Sequence, residues 1–144
     1  MTDRRDLAAM LHPLLRSLIA AELRVLQPHG ISMWGYIVLL ALDDGPVRTQ
    51  ANLAEAIGAD KTRIIATLDE LQRDGLISRV PDPADRRARL LSITQEGSDR
   101  RRAAQADIQA NEERILATLP GEDRQAFLRA VQALSALPHE DIVG

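Results

Sequence analysis

Lys61, Thr62 and Arg63 head a segment in which Ile64, Leu68 and Leu71 recur at helical spacing, and Thr67 follows one turn beyond Arg63. Those three apolar residues make one inward stripe, which leaves Lys61, Thr62, Arg63 and Thr67 on the other faces. A guanidinium in that position can donate two hydrogen bonds to a guanine edge, so Arg63 is the candidate base reader. Lys61 and Thr62, beside a helix N-terminus, suit phosphate oxygens. A second cationic group follows at Arg86, Arg87 and Arg89, next to Asp85. In a turn, residues two apart can interact. Asp85 is therefore placed to orient the Arg87 guanidinium into an A·T-rich minor groove, with Arg86 and Arg89 on phosphates. The plain alternative is a solvated helix face and ordinary surface ion pairs, worth little energetically. It accounts for each charge singly and less well for both groups together.

The elements that must hold these groups are legible around them. Thr49 to Ile57 and Asp60 to Arg73 read as helices joined by the turn Ile57-Gly58-Ala59, with Thr49 and Asp60 as N-caps and Gly75 as the stop. Leu76 to Val80 and Arg89 to Thr94 read as strands flanking a proline- and aspartate-rich tip, which makes a hairpin with a cationic end. Val47 and Arg48 read as a short strand that pairs with it. Helix, tight glycine turn, second helix and basic hairpin is the layout of a winged helix-turn-helix, and the partner it implies is double-stranded DNA.

Outside this core, Leu7, Leu11, Leu14, Leu15, Leu18 and Val25 predict an amphipathic helix that bends at Pro13 or begins near it. Gln27-Pro28-His29-Gly30 ends that helix, and Ser32 caps the next, Met33 to Leu42. After the hairpin a long helix starts at Thr94 and breaks at Leu119-Pro120-Gly121, and a last one spans Glu122 to Ala136. The fold class is mainly α with a small β-hairpin wing. Residues 1–144 read as a single domain, with the winged core over 31–97 and dimerisation helices over 1–30 and 98–144. These terminal helices carry more apolar surface than the small core can cover, and a two-fold dimer is the common solution, which also supplies two modules for symmetric half-sites.

Composition narrows the function classes. The 144 residues are 45% apolar, enough for a hydrophobic core, and contain no cysteine, which removes disulfides, thiolate chemistry and cysteine-ligated zinc. The net charge of −3 argues against a protein that coats nucleic acid non-specifically. Between Gly45 and Gln95 the cations concentrate instead at Lys61 and Arg63 and at Arg86, Arg87 and Arg89. No apolar run approaches the ~18 residues of a membrane span, and the start M-T-D-R-R-D has no apolar signal core, so a cytoplasmic location is expected. No H-E-x-x-H, glycine-rich phosphate loop or G-x-S-x-G is present to support an enzyme, and no cofactor or metal site is read.

L-A-E-A-I-G-A-D-K-T-R-I-I-A-T-L-D-E-L-Q-R-D-G-L-I-S-R from Leu53 to Arg79, then D-P-A-D-R-R-A-R-L-L-S-I-T-Q-E-G from Asp82 to Gly97, resembles the MarR family of bacterial transcriptional regulators. The resemblance implies a homodimer on a palindromic operator near its own or a neighbouring gene. It implies repression released by a small, often aromatic or phenolic, ligand held between the dimer helices and the winged core. Ile65 and Ala66 depart from the hydroxyl residues and arginine that many members carry in mid-helix, so operator sequence does not transfer. Candidate ligand-pocket residues are His12, Arg16, His29, Trp34 and Tyr36; for Trp34 and Tyr36, core packing and a helix end are the plain alternatives. Glu112 with Glu113, and Arg100-Arg101-Arg102, read as solvated helix faces. Rival readings are a winged-helix module used for protein contact and a regulator without a ligand.

Overall fold

The leucine-rich segment near the N-terminus forms one uninterrupted helix, α1 (Leu7–Leu26), which contains Pro13. The expectation that the helix starts near Pro13 is therefore corrected. Pro13 lies within the second turn, where loss of a single ladder bond is offset by the turns on either side. The computed structural model describes residues 3–144, so Met1 and Thr2 of the predicted 1–30 segment lie outside the described residues. A 3-10 turn, Gln27–His29, ends on Gly30 at φ 67, and Ser32 then caps α2 (Met33–Asp43) by accepting from the Gly35 N–H at 3.0 Å.

The middle of the chain follows the predicted order: β1 (Val47–Arg48), α3 (Gln50–Ile57), α4 (Lys61–Arg73), β2 (Ile77–Pro81) and β3 (Arg89–Ile93). The three strands form an antiparallel sheet in the order β1-β3-β2, with Val47 opposite Leu91 and Ile77 opposite Ile93. Leu39, Leu42, Leu53, Ile64, Leu68, Leu76 and Leu91 are fully buried where α2, α3, α4 and the sheet meet. Truncating one such leucine to alanine costs about 2–5 kcal/mol. The chain continues as α5 (Gln95–Leu116), α6 (Gly121–Ser135) and α7 (His139–Val143), the last of which the sequence reading does not anticipate.

Thr94 opens α5 by accepting from the Gly97 N–H at 3.0 Å while its hydroxyl donates to the Gly75 carbonyl at 2.7 Å. Gly97 is required at this junction. A Cβ there would sit 2.0 Å from the Leu76 carbonyl oxygen and 2.9 Å from Ile93 Cγ1.

The chain divides into two compact units, Met1–Ile108 and Gln109–Gly144. In the first, the outer side of α1 leaves Leu7, Met10, Leu11, Leu14, Leu15, Ile19 and Leu23 exposed. In the second, none of the residues 109–144 is buried, and Phe127, Leu128, Val131, Leu134 and Leu137 are exposed. Arg124 donates to Glu113 within this unit; that hydrogen bond, and then the opposite charge, hold the Glu113 carboxyl below the ordinary glutamate value and raise Arg124. Among the described residues no single helix is long and apolar enough to cross a membrane.

Candidate nucleic-acid interface

The N-terminal turn of α4 is built by its neighbours in sequence. Gly58, at φ 69, closes α3, and Asp60 accepts from the Arg63 N–H at 2.9 Å to cap α4. With Ile64, Leu68 and Leu71 buried, Lys61, Thr62 and Arg63 are exposed together at the head of the helix. Thr67 is different. It is buried, and its hydroxyl donates to the Arg63 carbonyl at 3.1 Å. Its predicted place on the open face is corrected: position 67 lies beside Ile64 and Leu68 on the edge of the buried stripe. Ile65 is 46% exposed instead, an apolar side chain on the otherwise polar side of α4. Its place one residue off the stripe was the available signal for that exposure.

The wing tip is a closed network of backbone bonds. Asp82 N–H donates to the Ala88 carbonyl at 2.9 Å, Ala88 N–H donates to the Asp85 carbonyl at 3.0 Å, and the buried Asp82 carboxylate accepts from Ala84 N–H at 2.9 Å. Asp85 accepts from the backbone N–H of Arg87 at 3.0 Å. Asp85 thus orders the turn rather than the Arg87 guanidinium it was expected to orient. Arg86, Arg87 and Arg89 are exposed and form no ion pair among the described residues.

Arg79 was not among the predicted site residues, and it joins the wing to both helices. From β2 it donates to Gln72 on α4 at 2.6 Å and to Gln50 on α3 at 2.9 Å, and it pairs with Asp69 on α4. Its partners lie 7, 29 and 10 residues away, so no local pattern could show them. Beside this junction an open cavity of about 610 Å³ is lined by Gln50, Gln72, Arg79, Arg87 and Arg89. Its walls are cationic and hydrogen-bonding, suited to an anionic backbone.

The five predicted pocket residues occupy different surroundings. His12 and Arg16 are exposed on α1, and His29 meets Asp107 of α5 at 2.7 Å. Tyr36 is 4% exposed within the core, so its aromatic ring is a packing element. Trp34 is half-buried and faces α4, with the Arg63 guanidinium carbon 5.8 Å from its ring centroid. The run Arg100-Arg101-Arg102 is likewise not a uniformly solvated face: Arg101 is buried and pairs with Asp43 at 3.2 Å.

A helix-turn-helix whose second helix presents cations at its head, beside a hairpin with a cationic tip, is a winged-helix DNA-binding fold. The MarR family model matches residues 29–88. The transcriptional regulator HosA of Escherichia coli O111:H- is 32% identical over 99 residues, 69% of this chain and 73% of that protein. CouR from Rhodococcus jostii RHA1, solved bound to p-coumaroyl-CoA, is 26% identical with a TM-score of 0.75, the match covering 95% of this chain and 98% of that one. A CouR repressor structure bound to a 23-mer DNA duplex superposes with a TM-score of 0.78 at 27% identity, over 90% of this chain and 92% of that one. Wild-type MarR from E. coli shares the fold, with a TM-score of 0.82 over 94% of this chain and all of that one at 18% identity. The chain belongs to the MarR family of DNA-binding transcriptional regulators. Proteins of this family function as dimers.

Proposed function

We propose that this protein is a dimeric repressor that reads a palindromic operator by seating α4 in the major groove and the wing in the flanking minor groove. The observation that carries the reading is the pairing of two exposed cationic groups, Lys61 with Arg63 and Arg86 with Arg87, on elements tied together through Arg79. Arg63 donates to a guanine edge, Ile65 packs on a thymine methyl, and Lys61, Thr62, Arg86 and Arg89 hold phosphates. Arg87 enters the minor groove, supported by the turn that Asp85 orders. Thr67 acts through the backbone of the same helix.

A second copy covers the exposed leucines of α1 and those of α6. The absence of any buried residue from 109 to 144 supports this, because a helical unit whose apolar residues are at most half-buried lacks most of the main stabilising term of folding. The two recognition helices then lie roughly 34 Å apart, one turn of the duplex. An aromatic small molecule that changes this separation releases the operator; the p-coumaroyl-CoA bound to CouR supports an effector of that class. His12, Arg16 and His29 remain the residues of this chain proposed to meet it. Residues 31–97 are the DNA-binding core, 1–30 and 98–144 the dimerisation helices, and the protein regulates rather than catalyses.

The test is a fluorescence-anisotropy titration of wild type and Arg87→Ala against DNA upstream of its own gene, or a duplex selected from random sequence, with excess competitor. Competitor-resistant binding weakened by about 1–3 kcal/mol in the mutant is expected. Equal affinity for cognate and random duplexes would refute the reading.

A further inference from the structure

Trp34 is the chain's single tryptophan, on the first turn of α2, and Arg63 is on the first turn of α4. The two helices pack against each other: a Cβ on Gly35, beside Trp34, would lie 3.4 Å from Leu71 Cδ2, two turns beyond Arg63 on α4. Trp34 is half-buried, while Arg63 is exposed with its guanidinium carbon 5.8 Å from the indole centroid. The backbone below Arg63 is held through the Asp60 cap on its N–H and the Thr67 hydroxyl on its carbonyl. We infer that Trp34 is a specificity-determining positioning residue, the platform on which the Arg63 side chain is held for base reading.

The chemistry follows from the two surfaces of a guanidinium. Its planar face is attracted to the negative face of an indole, and its N–H donors lie around the edge. Stacking on Trp34 occupies a face and leaves the edge for the two acceptors of a guanine. An exposed arginine otherwise samples many rotamers and loses that freedom on binding, so a side chain already held by the ring pays less on meeting its base. A lysine at 63 has no planar face to lay on the ring. Trp34 thereby leaves the set of effector-pocket residues and joins the DNA-reading apparatus.

This inference rests on the assignment of Arg63 to a base edge, and the experiment separates the two. Wild type, Arg63→Ala, Trp34→Phe and Trp34→Leu are titrated against the selected operator and against duplexes with one base pair changed at a time. Wild type should discriminate by about tenfold or more at one position per half-site, and Arg63→Ala should lose that discrimination. Trp34→Leu keeps apolar bulk without the π face. It should lose discrimination at that same position while keeping affinity for random duplex and its salt dependence, and Trp34→Phe should retain most of the preference. In free wild type, acrylamide quenching of Trp34 should rise on Arg63→Ala, a readout that needs no DNA.

A wild-type discrimination profile in Trp34→Leu, with Arg63→Ala still defective, would overturn the role of Trp34 and leave Arg63 as the base reader. Uniform weakening at every position with a lowered melting temperature would reduce Trp34 to a packing residue and also overturn it. A full profile in Arg63→Ala would remove the assignment of Arg63 itself, and unchanged quenching would remove the contact.

Discussion

Replacing Arg79 by methionine keeps the side-chain stem and deletes a guanidinium that bonds to Gln72, Gln50 and Asp69. The Arg79 side chain is 15% exposed, so its charge is largely withdrawn from water, whereas Asp69 is 51% exposed and its pair is partly screened. A hydrogen bond to a charged group nets about 1.5–3 kcal/mol when buried, and an exposed ion pair about 0–1 kcal/mol. The two glutamines border the open cavity and can recover water as a partner, which reduces the loss further. The expected destabilisation is about 2–3 kcal/mol, a fall of roughly 1–1.5 M in the urea midpoint for a slope near 2 kcal/mol/M. Wild type and mutant must be compared at one protein concentration, because a dimer's stability depends on it. Operator affinity should fall by about tenfold, since the wing is no longer tied to α4 and its orientation must be restored on binding. Asp69→Asn should add little to Arg79→Met, because the two remove one interaction. An unchanged midpoint together with unchanged affinity would refute the account of Arg79 as the wing's anchor.

Gly97→Ala should be among the most damaging single-methyl changes in the chain, because its Cβ would meet backbone at Leu76; a loss of about 3 kcal/mol or more, read by urea denaturation, is expected, and near-wild-type stability would contradict the packing at this junction. Thr67→Val should leave operator affinity within about twofold, since Thr67 is buried and bonded to its own helix; a larger loss with unchanged melting would restore it as a base contact. Leu11→Glu with Leu15→Glu should convert the dimer to monomer in sedimentation velocity, because both leucines are exposed on the outer side of α1. Glu113 should titrate below an ordinary glutamate by NMR and return to the ordinary value in Arg124→Gln. A folded-state value below the unfolded one means that its stabilising contribution is complete above the unfolded value and is lost as pH falls through the folded one.

The order of helices and strands in the core was set by local chemistry and was legible without coordinates. Thr49, Ser32 and Asp60 each accept from an N–H three residues on, as their types and positions indicate. The stripe Ile64, Leu68 and Leu71 is buried, and the hairpin strands end within one residue of where alternation and turn residues place them. Capping, helical periodicity and turn preference act over a few residues, so a linear sequence displays them.

Local patterns along the chain were therefore enough for the winged-helix layout, its family, and the two cationic groups on α4 and the wing. The role of each polar side chain depends instead on contacts made by folding. Arg79 meets partners up to 29 residues away, Arg63 lies over a tryptophan on another helix, and Arg101 leaves its arginine run to pair with Asp43. Thr67 and Ile65, two residues apart, exchanged the roles that their polarity alone suggests, one buried and one exposed. Helix periodicity places a side chain on a face, but the width of the buried stripe is set by what packs against it. That contact is made by residues distant in sequence, which is why it becomes visible only once the chain is folded.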